Sequence, residues 1–241
     1  MRHAFLADVH GNYEALQAVL GEIEKLSPDR VLCLGDLVGY GADPERCVEE
    51  IRDRKIPALM GNHDAAACGK LGTEYFNAEA YQSILWTRER LSEQARLCLA
   101  QLPLTDDREP FAAAHGTLAN PGAFDYILTA QDAEACFSAH QRRLAFVGHS
   151  HSPVTFLLNG HRVSATLDSV VRVPEGARGI VNVGSVGQPR DGNPMAAFAL
   201  LDTATCTIEI RRVPYDIEAA AEKIVKAGLP ILNAWRLYVG Q

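Results

Sequence analysis

Seven residues of three chemical kinds, Asp8, His10, Asp36, Asn62, His115, His149 and His151, fall in five short segments. Each segment follows directly on a run of apolar, strand-forming residues. Residues 4–7 lead into Asp8-Val9-His10-Gly11-Asn12, 31–34 into Gly35-Asp36, and 58–60 into Gly61-Asn62-His63-Asp64; 112–114 lead into His115-Gly116 and 145–147 into Gly148-His149-Ser150-His151. Carboxylate, imidazole and carboxamide without thiolate suit first-row divalent ions such as Mn, Fe, Zn, Co or Ni better than Ca. Seven donors are too many for one ion that must keep a position open. Two ions sharing one carboxylate fit the number, and such pairs, ~3.5–4 Å apart, clamp the attacking and leaving oxygens of a phosphoryl group. Two divalent ions outweigh two aspartates, so the centre would draw an anion into its cleft inside a chain of net charge −7. Four of these segments are ordinary by themselves, and Gly148-His149-Ser150-His151 is moderately specific because two histidines at i and i+2 in a loop can aim at one point; the set carries the signal. His3, His140 and His161 lie outside the pattern and read as structural or exposed.

The elements that must position these residues follow from the patterning. The chain has 241 residues, 47% of them hydrophobic and 22% charged, which excludes disordered, collagen-like and disulfide-scaffold classes. The acidic balance speaks against a long nucleic acid held by bulk charge. Six cysteines without a C-x-x-C pair read as reduced thiols. The N-terminus has no signal-peptide core and no apolar run reaches membrane-spanning length, so a cytoplasmic protein with no membrane partner is expected. The first half alternates strands (4–7, 30–34, 57–60, 111–114, 144–147) with helices. One helix is capped by Asn12, one opens at Asp43-Pro44, 77–101 forms a pair broken near Ser92, and another spans 129–139. The second half is strand-rich: 154–158 and 162–165 flank the hairpin signal Asn159-Gly160, and 170–173, 180–183, 195–201 and 207–213 follow. A last helix capped by Asp216 carries Ile224 and Val225 and ends at Gly228. This order predicts one α/β domain over 1–241, with two packed sheets and outer helices. Sites assemble at the carboxyl ends of strands in α/β sheets, so the five segments converge if their strands lie side by side.

The order Asp-x-His, Gly-Asp, Gly-Asn-His-Asp, His-Gly, Gly-His-x-His resembles the signature of the calcineurin-like metallophosphoesterase superfamily. Residues 35–41 (Gly-Asp-Leu-Val-Gly-Tyr-Gly) and 182–194 (Asn-Val-Gly-Ser-Val-Gly-Gln-Pro-Arg-Asp-Gly-Asn-Pro) resemble its small prokaryotic phosphodiesterase branch. The resemblance runs from Ala4 to about Val213 and implies a four-layer α/β/β/α sandwich. It implies one metal on Asp8, His10 and His151, a second on Asn62, His115 and His149, and Asp36 bridging them. It implies in-line attack on phosphorus by a hydroxide between the ions, with Mn the first choice for reconstitution. His63 matches the substrate-facing histidine that stabilises the transition state or protonates the leaving oxygen. The x-x-Asp-Arg-Gly continuation of the protein serine/threonine phosphatases is replaced here by Leu37-Val38-Gly39-Tyr40-Gly41, which argues against that activity.

Tyr40 and Arg190 are further substrate-binding candidates. Tyr40 either lines the substrate mouth or packs in a Gly-flanked turn, and Arg190 either takes a phosphate oxygen in bidentate fashion or pairs with Asp191 or another carboxylate. Asp64 either orients His63 or caps the next helix. The helical block 77–101 resembles a cap-like insertion that selects substrate size. The expected function is a dinuclear-metal phosphohydrolase cleaving small phosphodiesters or nucleotide phosphoesters. Its alternatives are a dinucleoside polyphosphate hydrolase, a phosphomonoesterase, or a non-catalytic metal-binding scaffold like the retromer subunit of this fold. Homo-oligomerisation is compatible with the sequence.

Overall fold

The computed structural model describes residues 1–241. Its elements, in chain order, are β1 (Arg2–Leu6), α1 (Tyr13–Leu26), β2 (Arg30–Cys33), α2 (Pro44–Asp53), α3 (Asn62–Ala67), α4 (Ala78–Arg90), α5 (Glu93–Ala100), β3 (Thr105–Asp106) and β4 (Phe111–Ala114). They continue as α6 (Ala130–Ala139), β5 (Leu144–Val147), β6 (Val154–Asn159), β7 (Arg162–Thr166), β8 (Val170–Arg172), β9 (Arg178–Asn182), β10 (Ala196–Asp202), β11 (Thr207–Val213), α7 (Ile217–Lys226) and α8 (Ile231–Val239). One sheet has the order β2-β1-β10-β11-β8 and the other β3-β4-β5-β9-β6-β7. Both are mixed: β1–β2, β4–β5 and β5–β9 pair in parallel, the remaining neighbours antiparallel.

Alternation along β1 decides the layers. Phe5 points between the sheets, where its ring stacks on Phe146 at 3.7 Å and meets Phe111 edge-on at 4.8 Å. Leu32, Val181 and Leu201 complete this inner layer. Ala4 and Leu6 point the other way, under Leu16, Val19 and Leu20 of α1, Val48 and Ile51 of α2, and Ala95 and Leu99 of α5. On the far side Ala133, Cys136 and Phe137 of α6 cover Ala112, Ala145 and Ile180. The result is helix, sheet, sheet, helix, as the resemblance implies. Truncating a ring of the inner layer would remove ~3–5 kcal/mol.

The helix starts follow their caps. Asn12, Asn77, Ser92, Thr129 and Asp216 each accept the backbone N–H three residues on. Asp43 makes no side-chain cap bond; its carboxylate accepts from Lys223 Nζ at 2.6 Å, tying α2 to α7. Ile84, Leu91, Ala95 and Leu99, from the 77–101 block, lie in the same buried cluster as α1 and α2. Arg88 fastens α4 to α3 by donating to the Ala66 carbonyl at 2.7 and 2.9 Å.

The structure departs from the sequence reading at several points. The segment 57–60 is no strand; it touches β2 through a single bridge, Cys33 to Ala58. α3 and α8 form where no helix was foreseen. The last predicted helix does carry Ile224 and Val225; Ile224 is buried and Val225 is 53% exposed, because successive helix positions turn away from one another. His3 and His140, read as structural or exposed, are buried, and His161 is exposed. The strands that precede the candidate ligands also do not form one row: β1 and β2 are neighbours in one sheet, β4 and β5 in the other. Convergence comes from the two sheets sharing one rim. All six cysteines are free thiols, four of them buried. No helix is long and apolar enough to cross a membrane.

Candidate metal centre

The loops after β1, β2, β4 and β5 and the start of α3 are stitched together at that rim. Asp8 N–H donates to Gly35 O at 3.0 Å, His10 N–H to Asp36 O at 2.9 Å, and Gly148 N–H to His115 O at 2.8 Å. His149 N–H donates to the Asp8 carboxylate at 3.0 Å. Asp8 (φ 55°), His10 (51°), Asp36 (55°), Tyr40 (57°), His149 (68°) and His151 (59°) all hold left-handed backbone. That region costs a non-glycine residue ~1–2 kcal/mol. Asp and His tolerate it better than most, and such strain concentrates at functional sites.

Proton accounting shows what these side chains need. His10 Nδ1 lies 3.0 Å from Val38 O, His115 Nδ1 3.0 Å from Leu34 O, and His151 Nδ1 2.6 Å from Gln188 O. A carbonyl only accepts, so each Nδ1 carries a proton and each Nε2 turns inward. There the inward atoms crowd: His10 Nε2 is 3.0 Å from His151 Nε2, and Asp8 Oδ1 is 3.5 Å from His151 Nε2. Asp36 Oδ2 is 3.3 Å from His115 Nε2 and 3.6 Å from His10 Nε2. Asp36 Oδ2 and Asn62 Oδ1 are buried without a hydrogen-bond partner. A cluster of acceptors facing one another calls for cations between them.

The titration behaviour has the same origin. Burial alone would raise the Asp36 carboxyl, but the His115, His63 and His10 rings hold it well below the usual carboxylate range. Burial would lower His115, yet the Asp36 carboxylate raises it to about 9, so without a cation its Nε2 holds a proton against Asp36 Oδ2, and a metal ion would take that proton's place. Burial pushes the Asp8 carboxyl up to about 7, against the pull of His115. His10 and His151 are held well below the usual imidazole range by burial, and His149 falls to about 3 for the same reason. Three sets of ligand atoms each lie within 4.8 Å of one another: Asp8/His10/His151, His10/Asp36/His63 and Asp36/His115/His149. Asp36 belongs to two of them. The residues present therefore fit a pair of divalent ions sharing a carboxylate.

His63, the second residue of α3, sits between Tyr40 (ring centroids 4.6 Å apart) and Phe76 (5.0 Å). Burial lowers its pKa to about 4. Its backbone N–H donates to Asp36 Oδ1 at 2.8 Å. Its Nδ1 abuts Gly39, where any Cβ would collide with the ring. That leaves Nε2 to a cleft of ≈ 540 Å³ walled by Tyr40, Asn62, Phe76 and Tyr126, among others. Asp64 does not reach the His63 ring. Its carboxylate accepts from the N–H groups of Gly61, Asp36, Leu37 and Val38. It thus caps α3 and fixes the turn that carries Asp36.

Tyr40 is 5% exposed; it packs on His10 at 4.7 Å and still lines the cleft. Arg190 makes no ion pair with Asp191, which pairs with Arg212 instead. It donates to Gln188 Oε1 at 2.7 and 3.3 Å and lies over the Tyr40 ring at 5.4 Å, beside the centre. Sequence reasoning missed Gln188 and Tyr126. The first holds both His151 and Arg190; the second stacks on His149 at 3.8 Å. Tyr126 lies in the loop that follows His115, and Gln188 in the 182–194 segment that carries the family resemblance, which were the available signals.

A family model described as the calcineurin-like phosphoesterase superfamily domain matches residues 1–206. The uncharacterized protein MJ0912 of Methanocaldococcus jannaschii is 37% identical over 243 residues, spanning 99% of this chain and 98% of that protein. The crystal structure of a metallophosphoesterase from Sphaerobacter thermophilus matches with a TM-score of 0.87 at 34% identity, covering 100% of this chain and 99% of that one. Hypothetical protein PH1004 from Pyrococcus horikoshii shares the fold, with a TM-score of 0.82 at 22% identity over 100% of this chain and 98% of its own. With ligand order, fold and family match in agreement, the chain belongs to the calcineurin-like phosphoesterase superfamily.

Proposed function

We propose that this protein is a phosphodiesterase that cleaves small phosphodiesters or nucleotide phosphoesters with the help of two divalent metal ions. The observation that carries the reading is the inward-facing cluster around Asp36, whose Oδ2 is buried and unpartnered between His10 and His115. In this reading Asp8, His10 and His151 hold one ion, Asn62, His115 and His149 hold the other, and Asp36 is shared. Bound there, the ions supply positive charge to phosphoryl oxygens and make water more acidic. The carbonyls of Val38, Leu34 and Gln188 keep the protons of His10, His115 and His151 on Nδ1, so their Nε2 atoms stay available as ligands. His63 remains neutral at pH 7 and offers Nε2 to a phosphoryl or leaving oxygen. Arg190, braced by Gln188, adds a positive charge and free N–H donors on the same side. Tyr40 excludes water from the face shared by His10 and His63. The wall formed by the start of α4 bounds the cleft and selects substrates by size.

The test is turnover by metal-stripped protein with and without added Mn. The panel holds bis(p-nitrophenyl) phosphate, p-nitrophenyl phosphate and diadenosine tetraphosphate, with His63→Ala as control. Mn-dependent diester cleavage that collapses in the variant supports the reading. Faster monoester or tetraphosphate cleavage moves the substrate class, and no turnover with metal bound favours a scaffold.

A further inference from the structure

The walls of the cleft differ from its floor. Besides Asn62, His63 and His149 on the floor, the lining is dominated by Tyr75, Phe76, Phe124 and Tyr126. Tyr75, on the loop between α3 and α4, is 97% exposed, an unusual position for a large ring beside a buried polar centre. Tyr126 is 47% exposed and already lies flat on His149, with an interplanar angle of 15°. No Lys or Arg is among the 14 residues that line the cleft, and Asp125 is. Positive charge is therefore confined to the proposed ions at the floor, with Arg190 outside the lining and over the Tyr40 ring, while the walls offer flat aromatic surface and one carboxylate.

We infer that the cleft selects a phosphodiester with a single phosphate and one planar aromatic arm, of the nucleobase or aryl class, seated on the Tyr75–Tyr126 walls. This rests on the phosphodiesterase reading for the position of the phosphate, and on the wall composition for the arm. A second or third phosphate would lie along walls without a cation and beside Asp125, so a polyphosphate chain is disfavoured. A base stacked on aromatic side chains gains ~1–3 kcal/mol, which is about a 5- to 150-fold tightening.

The experiment separates the two layers. First, calorimetry on Mn-loaded protein compares adenosine 5′-monophosphate with ribose 5-phosphate, which differ only in the base. The nucleotide binds at least about 5-fold tighter in the wild type. That ratio falls toward 1 in Tyr75→Ala and is retained in Tyr75→Phe; unchanged melting temperatures show that both variants fold. Second, chromatography follows cleavage of a dinucleoside monophosphate, diglycerol phosphate and diadenosine tetraphosphate, with the dinucleoside monophosphate cleaved fastest. Equal binding of the two probes, or a base preference that survives Tyr75→Ala, overturns the inference even if diesters are cleaved. Faster cleavage of the tetraphosphate also overturns it. A Tyr75-dependent base preference without any diester cleavage upholds the inference about the cleft and removes the phosphodiesterase reading.

Discussion

Asp64→Asn tests how the centre is held together. The Asp64 carboxylate serves four buried backbone donors: Oδ2 accepts from Asp36 at 2.8 Å and Gly61 at 3.1 Å, and Oδ1 from Leu37 at 2.9 Å and Val38 at 3.3 Å. An asparagine has one acceptor oxygen. It can serve one pair of these N–H groups, while its NH₂ confronts the other pair. Leaving a buried donor unpaired costs ~1–3 kcal/mol, so two cost ~2–6 kcal/mol of a total that is ~5–15 kcal/mol for ordinary proteins. At ~2–4 °C per kcal/mol for a chain of this size, the melting temperature falls by roughly 10 °C. The assay is thermal and urea unfolding of wild type and Asp64→Asn, both in chelator so that metal does not contribute. Because the Asp36 N–H is one of the four donors, Mn affinity falls with stability. A variant that melts with the wild type would refute the claim that this carboxylate organises the turn.

Three further outcomes follow from single features. Gly39 holds φ +93° and a Cβ there would run into the His63 ring, so Gly39→Ala displaces that ring and lowers kcat by about 100-fold; inductively coupled plasma mass spectrometry finds its Mn content unchanged, and full activity would unseat the His63 placement. His3 is 1% exposed and both of its ring nitrogens lack a partner beside Phe111, so His3→Phe raises stability in urea titration by ~1–3 kcal/mol, whereas a loss would show that the imidazole is satisfied. Burial and the adjacent Arg178 lower His140 to about 4, against 6.5 for the unperturbed ring. The unfolded chain therefore binds the extra proton first, and stability falls as pH drops from 6.5 toward 4; His140→Gln loses less stability than wild type between pH 7 and pH 5, and parallel losses would contradict the assignment.

Much of the candidate site was legible because its candidate ligands follow short apolar runs in a fixed order, and such runs ending in Asp, His or Gly-Asn are visible without a structure. The caps at Asn12 and Asp216 were legible as well, since they act locally. What could not be read is non-local. β1 pairs with β10, Ala4 opposite Leu200, and no local pattern announces that partner or the division of the strands into two sheets. α3 spans six residues, too few for a helical period, and its start coincides with a ligand loop. The Arg190–Asp191 pairing failed because Arg212, on β11, approaches Asp191 from another strand. The left-handed backbone of Asp8, His10, Asp36, His149 and His151 aims the ligands, and residue types alone do not reveal it.

Asp36 is the carboxylate that two divalent ions would share in the proposed centre. The direct measurement is the number of Mn ions bound per chain, by inductively coupled plasma mass spectrometry after reconstitution and gel filtration, for wild type and Asp36→Ala. Two ions in the wild type and a deficit in Asp36→Ala are predicted. One ion or none in the wild type, or two retained in the variant, would contradict the account.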